Sequence, residues 1–248
     1  MELKAKNIAI YDKNFYDWNA QSATRSAGPV SELVYNMLRP TRVVDVGCGR
    51  GEWLKAFHEL GAHELFGLDG DHVDRDRLLI DRRQFLPTDL ARAFEVPGQY
   101  DLAISLEVAE HLPPSSSHRF VRALTGAAPY VLFSAAIPGQ DGNGHINLKW
   151  PGYWRGLFEA EGFRMFDPIR PLIRNHPSIE WWYRQNIFLY ASQKLDPIPV
   201  GLGEEVVRGA EIEWVHASAT RGNRPLRQVI RRFPGAMLVW SNLKPWIR

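Results

Sequence analysis

Cysteine is almost absent from this sequence: Cys48 is the only one among 248 residues. One thiol excludes a disulfide within the chain and any zinc site built from several cysteines, and such low usage is typical of a reducing compartment. The sequence also lacks an apolar run long enough to cross a bilayer, and its first residues lack the apolar segment of a signal peptide. We therefore expect a cytoplasmic protein with no transmembrane segment.

An excess of charge of one sign is missing as well. The formal net charge is +2, and charged residues make up 23% of the chain. Binding to nucleic acid usually requires a basic stripe or a set of stacking side chains, and neither accompanies the central part of this sequence. Nucleic acid is therefore not the expected partner. The length and the 45% hydrophobic content allow one sizeable core, so we expect one main domain.

The chain between residues 41 and 137 alternates apolar strand-like runs with helix-length segments. The runs are RVVDVG, ELFGLD, RQFLPTD, YDLAISL and YVLFSAAI. Such alternation is typical of βαβ units and a parallel sheet that is covered by helices on both faces. Helices are predicted at 29–38, 52–60 and 115–126, the last of them capped by a serine at 115, 116 or 117.

The pattern changes after the fifth strand. GYWRGLFEAEGF predicts an amphipathic helix, and FRMFDPIR and IEWWYRQNIFLYAS predict two extended segments that pair as an antiparallel hairpin at one edge of the sheet. We expect a Rossmann-like α/β fold with a seven-stranded, mostly parallel sheet in residues 41–192. Residues 1–40 would form a helical cover. Residues 193–248 would form an extension that could provide a homodimer or partner contact. Its arginines at helical spacing (Arg221, Arg224, Arg227 and Arg231) predict a solvated helix face or a surface for an acidic partner or a membrane.

A glycine-rich loop follows the first strand directly. Residues Val43–Trp53 read VVDVGCGRGEW, with glycines at positions 47, 49 and 51. Glycine permits a tight turn and a close approach of backbone to a ligand because it has no Cβ. This spacing differs from the G-x-G-x-x-G of dinucleotide-binding loops. The loop therefore predicts a nucleotide-type ligand without the usual pyrophosphate clamp.

Three acids accompany this loop. Asp45 lies in the first strand, Asp69 ends the second and Asp89 ends the third. The carboxyl ends of parallel strands meet at one edge of the sheet, where ligands bind at the switch point, and an acid at the end of the second strand can accept both ribose hydroxyls. The three acids predict a site for an adenosine-like ligand.

These motifs together resemble those of the class I S-adenosylmethionine-dependent methyltransferases. DVGCGRG resembles the first motif of that family, and SLEVAEHLP resembles the fourth. The resemblance implies that Asp45 lies near the amino group of the cofactor, that Asp69 binds its ribose, and that Asp89 and Leu90 contact its adenine. The cofactor-binding residues implied in this way are Asp45, Gly47, Gly49, Asp69, Gly70, Asp89, Leu90 and Leu106.

The segment EVAEHL supplies a second group of polar side chains. Glu107, Glu110 and His111 follow the fourth strand at a spacing that one helical turn would place on one face. His145 lies in a glycine-rich loop after the fifth strand. Two carboxylates and two imidazoles suit a divalent metal such as Mg²⁺, Mn²⁺, Fe²⁺ or Zn²⁺.

The E-x-x-E-H arrangement resembles that of small-RNA 2′-O-methyltransferases and of O-methyltransferases of the ubiquinone pathway, in which it has been linked to a metal. Two alternatives stay open at this stage. His111 or His145 could act as a base without metal, with Glu110 assisting, or the carboxylates could have a purely structural role. Arg184, Gln185 and Asn186 are further candidates for reaching the same cleft.

The predicted reaction is methyl transfer from S-adenosyl-L-methionine. An alcohol must lose its proton when it attacks the methyl group, and that demand favours a metal or a base at EVAEHL. We therefore predict O-methylation of a small-molecule, sugar-like or glycan-like acceptor. The alternatives are an N-methyltransferase, an RNA-terminal 2′-O-methyltransferase and a non-catalytic cofactor-binding scaffold subunit.

Overall fold

A computed structural model describes residues 13–195 and 197–206 of the chain. Its centre is one seven-stranded sheet, in the order β3-β2-β1-β4-β5-β7-β6. Strand β7 is antiparallel to both neighbours, and the other pairs are parallel. The strands are β1 Arg42–Val46, β2 Glu64–Asp69, β3 Phe85–Pro87, β4 Leu102–Leu106, β5 Tyr130–Ser134, β6 Phe163–Phe166 and β7 Phe188–Ser192. The predicted Rossmann-like sheet with an antiparallel edge pair is confirmed.

Helices cover both faces of this sheet. They are α1 Lys13–Leu38, α2 Glu52–Leu60, α3 Ser117–Ala127, α4 Pro151–Ala160, α5 Arg170–Ile173 and α6 Trp181–Asn186. Val43 packs in one hydrophobic cluster with α1 and α2, whereas its neighbour Val44 packs in a second cluster with α3 and α4. Consecutive strand residues point to opposite faces, so a strand covered on both sides is apolar at each position.

The first helix is longer than the sequence suggested. We expected it to begin near Pro29, but α1 begins at Lys13 and contains that proline. Ala27, Val30 and Val34 are buried against the core at spacings that keep them on one face of the helix. This face packs against α2. The packing keeps the helix continuous across Pro29, which has no N–H to donate.

Two further local predictions are wrong. Ser116 precedes α3 without a side-chain capping bond, and its hydroxyl donates instead to the main-chain oxygen of Pro113 at 2.7 Å. WWYRQN forms the helix α6 and not a strand. Its aromatic residues favour a strand on propensity alone, but Tyr183 and Asn186 are buried by the tertiary structure, which overrides that preference.

Within residues 13–195 and 197–206, no helix combines the length and the apolar character needed to cross a membrane. The arginines at positions 221, 224, 227 and 231 lie outside the described residues, so the predicted homodimer or partner contact there stays a prediction.

Candidate functional site

The glycine loop connects β1 to α2 at the carboxyl edge of the sheet. Gly47 has a φ angle of 90°, a conformation that residues with a Cβ rarely adopt. A Cβ on Gly47 would lie 2.3 Å from Cγ2 of Val108. The N–H of Gly47 donates to the main-chain oxygen of Leu68 at 2.7 Å. This position therefore requires glycine for its conformation and for the close approach of the EVAEHL segment.

Asp69 fixes the geometry of this loop from the end of β2. Its Oδ2 accepts a hydrogen bond from the Gly49 N–H at 2.7 Å, and its Oδ1 accepts one from the Gly70 N–H at 2.6 Å. His72 Nε2 lies 3.3 Å from the same Oδ1. The strand-end acid and the glycine loop meet, as the sequence predicted. The contact of Asp69 with a ribose stays a prediction.

Asp45 is the most deeply buried acid of the loop, with 1% exposure. Burial, followed by the nearby Asp69 and Glu52 carboxylates, raises the pKa of Asp45 well above its ordinary range. Its Oδ2 has no hydrogen-bond partner among the described residues. A buried acceptor without a donor is costly unless a ligand supplies one, so this oxygen is available to a cationic or N–H-donating group.

Glu52 is a component of the site that sequence reasoning missed. It is the first residue of α2 and is buried, and its Oε2 would lie 3.6 Å from a Cβ on Gly49. Burial raises the pKa of Glu52, although hydrogen bonds and Arg50 oppose the effect. The signal in the sequence was an acid directly after the last loop glycine. Acids are common in the first turn of a helix, so the sequence alone does not distinguish Glu52 from an acid without a role in the site.

The remaining predicted cofactor residues lie at the same edge of the sheet. Asp69 pairs with Pro87 across β2 and β3, which places Asp89 and Leu90 just beyond that edge. Leu90 is buried, as is Leu106 at the end of β4. The Asp89 side chain is 61% exposed and lies 3.2 Å from the guanidinium of Arg92. The contacts of Asp89 and Leu90 with adenine stay predictions.

The EVAEHL segment does not form the helical turn that its spacing suggested. Ala109–His111 is a single 3₁₀ turn, and Glu107 precedes it with a left-handed φ of 56°. The Glu107 N–H donates to the main-chain oxygen and to the hydroxyl of Ser134, both at 3.1 Å. These bonds tie Glu107 to the end of β5, and its side chain lies beside that of Glu110 in the turn.

Three of the four predicted metal ligands nevertheless come together. Glu110, His111 and His145 each offer a ligand atom, and these atoms all lie within 4.8 Å of one another. The two imidazole rings have centroids 5.0 Å apart. The loop that carries His145 is held in place because the N–H groups of Ile146 and Asn147 donate to the main-chain oxygen of Glu110 at 2.9 and 3.0 Å.

The protonation behaviour of this group follows from its burial. Burial, and then the Glu107 carboxylate, raise the pKa of Glu110 well above its ordinary value. Burial, and then His145, lower the pKa of His111 to about 4, and burial lowers that of His145. Both imidazoles are therefore neutral at neutral pH, which is the form that binds a metal.

Glu107 has different partners from the other three. Its Oε2 accepts from Nε2 of Gln140 at 3.0 Å, and its Oε1 accepts from Nδ2 of Asn186 at 3.1 Å. Of the three further candidates, Gln185 and Asn186 lie in this region, with Gln185 bonded to Asn186 at 2.9 Å, whereas Arg184 donates to the main-chain oxygen of Arg174 at 3.1 Å. No pattern in the sequence marked Gln140 as part of the site. Glu107 is hydrogen-bonded on both oxygens and does not belong to the three-residue group.

The donor set fits a divalent transition metal. One carboxylate and two imidazoles suit Fe²⁺, Mn²⁺ or Zn²⁺ better than Mg²⁺, which prefers oxygen ligands. Both oxygens of Glu110 are buried, and the neighbouring Glu107 carboxylate disfavours ionisation of Glu110. A bound cation would favour the ionised form.

Comparison with known proteins gives a consistent picture. A family model described as a methyltransferase domain matches residues 20–168. The ubiquinone biosynthesis O-methyltransferase of Stutzerimonas stutzeri is 32% identical over 133 residues, which is 47% of this chain and 56% of that protein. Its counterpart in Rhodopseudomonas palustris is 33% identical over 86 residues, which is 31% of this chain and 32% of that protein. The chain thus spans at most about half the length of these relatives.

A solved structure shares the fold. Streptomyces venezuelae DesVI superposes with a TM-score of 0.53 at 13% identity, and the match covers 75% of this chain and 98% of that one. At this identity the likeness concerns the arrangement of the sheet and its helices.

Proposed function

This chain belongs to the methyltransferase domain family, and from that premise we propose that it transfers the methyl group of S-adenosyl-L-methionine to a hydroxyl of a small-molecule or sugar-like acceptor. The observation that carries the proposal is the group of Glu110, His111 and His145. It lies on the segments that follow β4 and β5, and Val108 connects it to the glycine loop.

The cofactor would bind at the glycine loop. Asp69 would accept the ribose hydroxyls, because it is already oriented by the N–H groups of Gly49 and Gly70. Asp45 and Glu52 are buried beside it, and a cationic cofactor would lower their raised pKa values and favour the ionised forms. S-adenosyl-L-methionine carries an ammonium and a sulfonium, and both are stabilised by nearby carboxylates. Asp89, Leu90 and Leu106 would complete the cofactor site.

The acceptor would bind between the cofactor and the three-residue group. Methyl transfer is an in-line displacement that depends chiefly on alignment, and an alcohol must also release a proton. Glu110, His111 and His145 would hold a divalent cation, which would orient the acceptor hydroxyl and lower its pKa. The 3₁₀ turn and the pinned His145 loop fix the positions of these side chains.

The same residues favour O-methylation over N-methylation and over a non-catalytic role. An amine acceptor reacts without a metal, so an N-methyltransferase would not use this buried group in its reaction. The names of the two curated relatives above also specify O-methylation. A non-catalytic scaffold would not use the buried carboxylate of Glu110 beside the two neutral imidazoles of His111 and His145.

The test is calorimetric titration of S-adenosylhomocysteine into chelator-treated protein, together with elemental analysis of the untreated protein. The titration is repeated after addition of Mn²⁺, Fe²⁺, Zn²⁺ or Mg²⁺. We expect cofactor binding in each case and stoichiometric binding of a transition metal. His145→Ala should lose the metal and keep the cofactor. His118→Ala is the matched control, because His118 is half exposed and pairs with Glu161.

The outcomes separate the parts of the proposal. Cofactor binding without any metal would leave a methyltransferase in which His111 or His145 is the base. No cofactor binding would contradict the assignment of the glycine loop.

A further inference from the structure

Three buried side-chain amides surround Glu107. They belong to Gln140, Gln185 and Asn186, whose exposures are 5%, 1% and 3%. Gln140 follows β5, and the other two end α6, so separate parts of the chain converge on one carboxylate. We infer that Gln140 is a positioning residue that couples Glu107 to His145. This inference rests on the proposed metal-assisted function of the same site.

The amide orientations in this cluster are mutually determined. Nδ2 of Asn186 donates both to Glu107 and, at 3.0 Å, to Oε1 of Gln140. Nε2 of Gln185 donates to Oδ1 of Asn186 at 2.9 Å and to Oε1 of Gln140 at 3.3 Å. A carboxylate accepts but does not donate. The amides of Gln140 and Asn186 therefore turn their oxygens away from Glu107, and each Glu107 oxygen accepts from one of their N–H donors.

Gln140 also contacts the other half of the site through its main chain. Its carbonyl oxygen lies 3.3 Å from Nδ1 of His145. A carbonyl can only accept, so Nδ1 carries the proton and Nε2 keeps its lone pair. Hydrogen bonds of this kind fix the tautomer and the orientation of metal-binding histidines. One residue thus orients a carboxylate with its side chain and an imidazole with its carbonyl.

The cluster is anchored at its far side by a buried arginine. Nη1 of Arg170 donates to the main-chain oxygen of Gln185 at 3.1 Å, and the same guanidinium binds both oxygens of Asp167 at 3.0 and 2.7 Å. The Cζ atom of Arg170 lies 3.9 Å from the ring centroid of Phe188. Arg170 therefore holds the main chain of Gln185 in place, and the Gln185 side chain in turn bonds to Gln140.

The test is a double-mutant cycle on Gln140→Met and Glu107→Gln, with the affinity for Mn²⁺ measured by calorimetry. Methionine preserves the length of the side chain and removes its polar groups. We expect Gln140→Met to weaken Mn²⁺ binding by about tenfold, the lower end of the range for such supporting partners. The double variant should be no weaker than Glu107→Gln alone, because residues that act as one unit are not additive.

Two controls separate positioning from folding. Gln99→Met makes the same change at the opposite edge of the sheet, where Nε2 donates to the oxygen of Gly126, and it should leave Mn²⁺ affinity unchanged. S-adenosylhomocysteine affinity should change less than about twofold in each variant. If Gln140→Met does not fold, Gln140→Asn keeps an amide and withdraws it from Glu107, and the same loss of Mn²⁺ affinity is expected.

Unchanged Mn²⁺ affinity in Gln140→Met or Gln140→Asn would overturn the inference while leaving the proposed function intact. Multiplicative losses in the double variant would also overturn it. If the wild-type protein binds no metal, the metal part of the proposed function fails together with this inference, and cofactor binding reports separately on the methyltransferase assignment.

Discussion

Replacement of Gly47 by alanine tests the packing between the glycine loop and the EVAEHL segment. The added Cβ would lie 2.3 Å from Cγ2 and 2.8 Å from Cγ1 of Val108, so one of the two segments must move. A residue with a Cβ in the left-handed region costs about 1–2 kcal/mol, and overpacking of a filled region costs about 1–3 kcal/mol. We expect Gly47→Ala to lower the free energy of unfolding by about 2–5 kcal/mol.

The two contributions can be separated with Val108→Ala, which removes both methyl groups that the new Cβ would meet. In the double variant most of the steric part should disappear, because only the Cβ at position 108 stays close, at 3.1 Å, and the backbone part should remain. The pair should then be more stable than the sum of the single effects by about 1–3 kcal/mol. Urea unfolding measures the stabilities, and titration of S-adenosylhomocysteine measures the accompanying loss of cofactor affinity.

A Gly47→Ala protein with wild-type stability and cofactor affinity would refute the reasoning. Strict additivity in the cycle would show that Val108 is not the obstacle. It would then leave the backbone conformation at Gly47 as the sole cause of destabilisation.

Three further outcomes follow from the structure. Asp69→Asn should weaken S-adenosylhomocysteine binding by about 10–100-fold in calorimetry, because an ionised acceptor contributes about 1.5–3 kcal/mol to a hydrogen bond. Wild-type affinity in this variant would contradict the ribose-binding role. His145→Ala should abolish methyl transfer, measured with a labelled cofactor, and equal loss of cofactor affinity would count against separate roles. Burial opposes ionisation of Asp101, but hydrogen bonds from Arg42 and Thr41 outweigh it and lower its pKa. Its stabilising effect is thus present above the unfolded-state pKa of about 4 and disappears as the pH falls through the lower folded-state value. The stability gap between wild type and Asp101→Asn in urea unfolding should therefore close in acid, and a gap independent of pH would exclude this explanation.

The sheet was predictable because each buried strand is a short apolar run. Val43 and Val44 face opposite clusters, so both must be apolar, and that continuity is visible in the sequence. The meeting of Asp69 with the glycine loop followed from the parallel order of the strands. Helix α6 was missed because WWYRQN has strand-like propensity, and only its tertiary contacts determine its conformation.

The candidate site was predictable where charge or spacing marked it. Glu110, His111 and His145 come together because β4 and β5 are neighbours, and the sequence carried that order. The 3₁₀ turn differs from the expected helical turn because Ser134, far along the chain, fixes the backbone of Glu107. Gln140 left no signal, since a neutral amide in a loop has neither periodicity nor charge until its distant partners are placed beside it.

The reversed direction of β7 has a consequence for how this site is supplied with side chains. Parallel strands bring to the ligand edge only the residues that follow them, but β7 begins at that edge: Phe188 pairs with Phe133, one residue before β5 ends. The helix upstream of β7 therefore delivers Gln185 and Asn186 to the edge at which the other strands exit. Changes at Gln185 or Asn186 would therefore act on the proposed acceptor side of the site from a segment outside the loops proposed to bind the cofactor.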